Sequence, residues 1–131
     1  MVIGIGIDII EIDRIKESVD RFGDKFLNKV FTEVELEYCL GKANKYQHLA
    51  ARFAAKEAVA KALTDAWDKG FRWRDIEIYN ELSGKPSVRL FGELNTFLGN
   101  DKSLKITMSH SQNYVTCFAI AFANGNNNKL I

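Results

Sequence analysis

Two carboxylates in this chain stand in apolar surroundings. Asp8 interrupts the run Val2-Ile3-Gly4-Ile5-Gly6-Ile7-Asp8-Ile9-Ile10, and Glu57 lies in the alanine-rich stretch from Leu49 to Leu63. At about 100° per residue, Glu57 shares a helical stripe with Tyr46, Leu49, Ala50, Phe53 and Ala60, and a buried carboxylate must meet a cation. Lys61, one turn on, is the near candidate. The second is a divalent ion shared with Asp8: two hard oxygen ligands, with the remaining positions left to water and substrate phosphates, is how Mg²⁺ is usually held. With Lys61 facing the same phosphates, the three residues would form a phosphoryl-transfer site, in which positioning and charge stabilisation do most of the work. Two plainer readings compete. Glu57 and Lys61 could be an ordinary i, i+4 helix pair worth about 0.2–0.5 kcal/mol, and Asp8 could cap a helix that begins near Glu11.

The elements that must position these groups follow from periodicity. Residues 2 to 10 read as a strand with Ile3, Ile5, Ile7 and Ile9 on one face and Gly4, Gly6 and Asp8 on the other, so the Asp8 face is low-walled. From Glu11 the period becomes helical through Ile12, Ile15, Val19, Phe22 and Phe26. The opposite sector of that helix carries Arg14, Arg21 and Lys25, with Gly23 as a potential break. Thr32-Glu33-Val34-Glu35 has the spacing of a capping box, opening a short helix that Gly41 can close. A long helix is expected from about Tyr46 to Ala66, then a hairpin of Ile76–Tyr79 and Ser87–Leu90 about the turn Ser83-Gly84-Lys85-Pro86. A short helix near Glu93–Leu98 and the strands Leu104–Met108 and Tyr114–Ala123 complete a single domain, residues 1–123. The polar tail 124–131 is expected to be unstructured. The class predicted is α+β: a small, mainly antiparallel sheet packed on a long buried helix.

Composition narrows the partners. The chain has 131 residues, 47% of them hydrophobic, which predicts one domain with a thin core that an oligomer would reinforce. A net charge of +1, from 18 basic and 17 acidic residues, supplies no global field for nucleic acid or an anionic membrane, so no such partner is expected. Arg14, Arg21 and Lys25 form a local basic strip that suits an acidic protein partner, or else a solvated face. Cys39 and Cys117 are too few for a disulfide scaffold, the apolar start lacks the basic flank of a secretory leader, and the longest apolar run is too short to span a bilayer; a cytoplasmic location is expected. Gly4-Ile5-Gly6 lacks the third glycine of a dinucleotide fingerprint. His110, between Ser109 and Ser111, has no acidic orienter for hydrolase chemistry and reads as a turn residue or a donor to a ligand phosphate. His48 reads as a surface histidine, and Trp67 and Trp73 as packing residues.

Gly4-Ile5-Gly6-Ile7-Asp8, Arg52-Phe53-Ala54-Ala55-Lys56-Glu57-Ala58 with Lys61, Gly84-Lys85-Pro86 and Ser109-His110-Ser111, in this order, resemble the holo-acyl-carrier-protein synthases of the 4'-phosphopantetheinyl transferase family. The resemblance implies Mg²⁺-dependent transfer of 4'-phosphopantetheine from coenzyme A to a serine of apo-acyl carrier protein, releasing adenosine 3',5'-bisphosphate, in fatty acid biosynthesis. By motif, Asp8 and Glu57 become metal ligands and Lys61 a contact to the attacked phosphate. Arg52 and Lys56 become phosphate contacts, and Gly84, Lys85, Pro86 and His110 line the nucleotide end of coenzyme A. The same resemblance implies a homotrimer with sites at subunit interfaces, and Arg14 meeting acidic residues of the carrier. The group that takes the serine proton stays open between Glu57 acting through water and bulk solvent. A Mg²⁺-dependent phosphohydrolase and a non-catalytic carrier-binding module are the competing functions.

Overall fold

A computed structural model describes residues 1–64 and 66–125. Strand β1 (Val2–Glu11) runs into helix α1 (Ile12–Phe22). Gly23, at φ +56°, turns the chain into a separate helix α2 (Asp24–Val30), because only a residue without a side chain adopts that conformation cheaply. Helix α3 (Glu33–Leu40) opens on the capping box expected from sequence: Thr32 Oγ1 accepts from the Glu35 N–H at 3.3 Å, and Glu35 Oε1 accepts from the Thr32 N–H at 2.9 Å. Helix α4 (Lys45–Thr64) is followed by a single 3-10 turn (Trp73–Asp75), strands β2 (Ile76–Asn80) and β3 (Pro86–Leu90), helix α5 (Gly92–Leu98), and strands β4 (Lys102–His110) and β5 (Tyr114–Ala123).

The strands form two antiparallel sheets rather than one. The larger has the order β1-β5-β4, and the smaller is the β2–β3 hairpin, with Ile76 opposite Leu90 and Asn80 opposite Pro86. Val115, Cys117, Ala119 and Ala121 of β5 alternate inward, and α4 packs across β1 and β5. Asn124, expected in the free tail, is tied down: its N–H donates to Asp101 O at 2.7 Å and its Nδ2 to Asn100 O at 3.1 Å. The remainder of that expected tail, 126–131, lies outside the described residues.

Strand β1 keeps the expected division of its faces, isoleucines on one side and Gly4, Gly6 and Asp8 on the other. Its glycine face is buried and its isoleucine face is exposed, with Ile5, Ile7 and Ile9 at 61%, 62% and 64% of full accessibility. The space beside Gly4 and Gly6 is taken by the backbone of α4. A Cβ at Gly4 would lie 1.7 Å from Ala62 O, and one at Gly6 would lie 2.0 Å from Ala58 O and 2.8 Å from Lys61 Cβ. With Ala58 and Ala62 on the facing turn, strand and helix meet backbone to backbone, which brings the strand carrying Asp8 against the helix carrying Glu57 and Lys61.

Gly6→Ala must push backbone against backbone, so thermal and urea unfolding should show it to be less stable than wild type by at least about 2 kcal/mol, the scale of an overpacked core. A loss below about 0.5 kcal/mol would mean that helix and strand are not held at this distance.

Candidate active site

Helix α4 sorts its charges into two rows. Arg52 and Lys56, four residues apart, point into the protein. Lys56 is fully buried; its Nζ pairs with Glu35 Oε1 at 2.7 Å and donates to Trp73 O at 3.0 Å and Ile76 O at 2.5 Å, which uses all three of its N–H groups. Glu35 is equally buried, and its second oxygen accepts from the Ile78 N–H at 2.9 Å. Burial pushes the carboxyl of Glu35 up and the ammonium of Lys56 down from their ordinary values, and each charge opposes the shift of the other. Arg52, 3% exposed, donates from Nη2 to Asn80 Oδ1 at 2.5 Å and lies over the ring of Tyr38, 4.2 Å from its centroid.

The expectation that Lys56 meets a phosphate is therefore corrected: its N–H groups are spent on the protein. Arg52 is likewise buried and reaches the predicted turn only indirectly, since Asn80 Nδ2 donates to Gly84 O at 2.9 Å. Sequence periodicity also misplaced Glu57, which is half-buried rather than on the most buried face. The fully buried charge of this helix is Lys56. Its partners, Glu35 and the carbonyls of Trp73 and Ile76, are remote in sequence, and the only local trace of the network is Glu35 in the capping box.

The second row, Glu57 and Lys61, faces β1. Lys61 does not take the ordinary helix pairing with Glu57 as its ion pair. Its Nζ lies 3.4 Å from Asp8 Oδ1 and donates to Ile7 O at 2.9 Å, with its side chain 52% exposed and that of Asp8 18% exposed. The backbone of Asp8 is fixed across the sheet, where Thr116 Oγ1 donates to Asp8 O at 2.8 Å. Glu57 has no ion-pair partner within 4.0 Å among the described residues. Its pKa is raised above the ordinary 4.5, first by burial and then by the negative charge of Asp8, with Lys61 pulling the other way. Two carboxylates thus share the neighbourhood of a single lysine: Asp8 pairs with Lys61, and its charge reaches Glu57 one turn back on the same helix.

Two carboxylates beside one lysine suit a hard divalent cation. Among the described residues no group of three or more His, Cys, Asp or Glu surrounds one point, and Asp8 and Glu57 are the two hard oxygen ligands this site could offer such an ion. The cysteines offer no competing nucleophile. Burial pushes the Cys39 thiol up to about 11 and the Cys117 thiol up to about 12.

Asp8 opens onto a cleft of about 410 Å³ walled by Arg14, Arg21, Phe22, Phe26 and Phe53. Two residues of the basic strip therefore line the same cleft as Asp8, and both are exposed. Lys25, placed on α2 by the turn at Gly23, is exposed but does not line that cleft. A second cleft of about 330 Å³ holds His110, Ser109, Ser111, Tyr114 and Thr116 and shares Ile9 with the first. His48 is not a bare surface residue: its ring meets Tyr38 edge-on at 5.4 Å. Its pKa is lowered by burial and then by the charges of Arg52, Lys42 and His110. Gly84, at φ +89°, and Lys85 form the exposed tip of the β2–β3 turn, and Pro86 begins β3.

A sequence profile of the 4'-phosphopantetheinyl transferase superfamily matches residues 4–122. The holo-[acyl-carrier-protein] synthase of Protochlamydia amoebophila is 47% identical over 120 residues, covering 92% of this chain and 98% of its own. That of Chlamydia trachomatis serovar L2 is 51% identical over 118 residues, covering 90% and 98%. Among solved structures, the holo-[acyl-carrier-protein] synthase of Neisseria meningitidis superposes with a TM-score of 0.83 at 32% identity, covering 93% of this chain and 99% of that one. The Helicobacter pylori synthase in complex with coenzyme A gives 0.78 at 32% identity, covering 90% and 99%. Asp8, the two rows of α4 and both clefts all fall within the matched span, and this chain belongs to the 4'-phosphopantetheinyl transferase superfamily as an enzyme of its holo-acyl-carrier-protein synthase group.

Proposed function

We propose that residues 1–123 form a single catalytic unit that transfers 4'-phosphopantetheine from coenzyme A to a serine hydroxyl of an apo-acyl carrier protein and releases adenosine 3',5'-bisphosphate, in the cytoplasm and in the service of fatty acid synthesis. The observation that carries the reading is that Asp8 of β1 pairs with the partly exposed Lys61 of α4 and lies near enough for its charge to act on Glu57 of the same helix. Asp8 and Glu57 would hold Mg²⁺, which when bound supplies positive charge to the diphosphate of coenzyme A. Lys61, anchored by Ile7 O, directs its ammonium to the phosphate under attack and balances charge on the departing bisphosphate. The nucleophile belongs to the carrier, so this chain needs no activated serine. Its own task is to hold the two reactants at one place.

Arg14 and Arg21, with Phe22 beside them, border the Asp8 cleft and would receive an acidic carrier surface; Lys25, further along, would add attraction at longer range. His110, Lys85 and the turn Gly84-Lys85-Pro86 would line the nucleotide end of coenzyme A, with Arg52 holding that turn through Asn80. The exposed stripe of Ile5, Ile7 and Ile9 supports assembly into a homotrimer with sites at subunit interfaces. A strand that presents three large apolar side chains to water is poorly suited to stand alone.

In the presence of Mg²⁺ and coenzyme A, mass spectrometry should show the carrier gaining one phosphopantetheine. Asp8→Ala and Glu57→Ala should each lower that rate by at least about a hundredfold while circular dichroism stays unchanged. Near-wild-type rates in both would remove the metal assignment, and bisphosphate released equally without carrier would make the chain a hydrolase.

Arg14→Glu should raise KM for the carrier by about tenfold or more, equivalent to roughly 1.4 kcal/mol, and leave KM for coenzyme A nearly constant. An equal rise in both constants would rule out a docking role.

The raised pKa of Glu57 has a definite sign in stability. A folded state that holds this proton more tightly gains from it below the ordinary value of 4.5 and loses that gain as pH rises through the folded value. In EDTA, Glu57→Gln should melt above wild type at pH 7, with the gap closing below about pH 4. Excess Mg²⁺ should then raise the wild type and leave the variant unmoved. A gap that is constant from about pH 3 to about pH 8, a range wide enough to bracket carboxylate titration, would contradict the shift.

A further inference from the structure

The buried pair Glu35–Lys56 lies outside the reaction as described, yet it sits one residue from Glu57 on the helix that presents it. The seat of α4 on Gly4 and Gly6 sets how near helix and strand lie. That seat is a contact between backbone and small side chains, which sets a distance and carries no hydrogen bond of its own to aim a side chain. The hydrogen bonds of Lys56 are directional. They run from α4 to Glu35 on α3, to Trp73 O ahead of the hairpin, and to Ile76 O at the start of β2, while Glu35 is held in turn by the N–H groups of Thr32 and Ile78. Arg52, one turn earlier, fixes the other end of β2 through Asn80.

Successive residues on a helix are separated by about 100°, so a clamp on Lys56 sets the direction in which Glu57 leaves the axis. At a side-chain radius of about 5–6 Å, a rotation of about 20° would carry a carboxylate roughly 2 Å. Metal–oxygen distances tolerate only about 0.2 Å. We infer that the Glu35–Lys56 pair is a positioning device for the metal site: it holds the rotation of α4 so that the Glu57 carboxylate faces Asp8. The inference rests on the reading of Asp8 and Glu57 as metal ligands and extends it to residues that never touch the substrate. It also separates the two lysines of the helix motif, Lys61 acting on phosphate and Lys56 acting on the backbone that aims Glu57.

The test compares full-length wild type, Lys56→Met and Glu35→Gln. Fold is checked by circular dichroism and thermal melting, and Mn²⁺ binding to the folded protein is read directly by electron paramagnetic resonance, apart from turnover. Lys56→Met should weaken Mn²⁺ binding by about tenfold or more, a loss of roughly 1.4 kcal/mol. Glu35→Gln, whose amide oxygen can still accept from Lys56, should fall between that variant and wild type. KM for the carrier should stay within about twofold, because the basic helix is untouched. A merely structural pair would lower the melting temperature and leave Mn²⁺ affinity of the folded protein at the wild-type value, and that result overturns the inference. If Lys56→Met does not fold, Glu35→Gln decides alone: a threefold or greater loss, about 0.65 kcal/mol, sustains the proposal and wild-type affinity removes it. A wild type that binds Mn²⁺ but transfers nothing would refute the transferase reading while leaving the positioning role open to this comparison; a wild type that binds no Mn²⁺ refutes both.

Discussion

Close contact between one strand and one helix governs this structure. Because Gly4 and Gly6 present no side chains, the carbonyls of Ala58 and Ala62 lie where β-carbons would otherwise be. Ordinary packing distances would move α4 away from β1 by the depth of a side chain. At the observed separation, the charge of an aspartate from the strand helps to raise the pKa of a glutamate from the helix, and a lysine one turn further along reaches the strand's carboxylate and a neighbouring carbonyl. Active-site geometry here is the direct product of side chains that are missing.

Around that contact the charges of α4 are divided by function. Arg52 and Lys56 are buried cations that bind the β2–β3 hairpin at both ends, and Lys56 is neutralised by a glutamate from α3. Such a pair contributes little net stability compared with well-packed apolar groups, since desolvation consumes most of the attraction, but removal of either member strands a charge. Its value lies in direction: α3, the 3-10 turn and β2 all hold the helix at a single rotation through Lys56. Glu57 and Lys61, turned about 100° away, remain partly accessible and only half-compensated, which is the electrostatic state of a site that takes up a cation and a phosphate.

Much of the fold was legible. The capping box at Thr32 and Glu35, the hairpin about Gly84, the break at Gly23 and the long helix are local events with local signals, and each forms where its residues indicate. The alternation of isoleucine and glycine separates two faces of β1 without saying which meets the protein, and the structure puts the glycines inside. The same ambiguity misassigned the charges of α4. Alanine on nearly every side leaves no clear apolar stripe, so Glu57 seemed the buried charge when Lys56 is. Only the distant partners Glu35, Trp73 and Ile76 distinguish them. Of the functional groups expected, Asp8, Glu57 and Lys61 come together, Arg14 and Arg21 border the same cleft, and Lys25 is carried away by the turn that Gly23 permits. Thr116, Asn80 and His48 carried no recognisable signal, since their contacts are formed only when remote segments meet.

The central claim is that Asp8 and Glu57 share a single divalent ion, and a double-mutant cycle on metal binding tests it most directly. Calorimetric Mg²⁺ titrations of wild type, Asp8→Asn, Glu57→Gln and the double variant should give one site per chain in wild type. Each single change should remove most of the binding energy, and the double variant should bind no more weakly than the weaker single variant, the non-additivity expected of two ligands on one ion. Strictly additive losses, or a full complement of bound Mg²⁺ retained in either single variant, would show that the two carboxylates serve separate purposes.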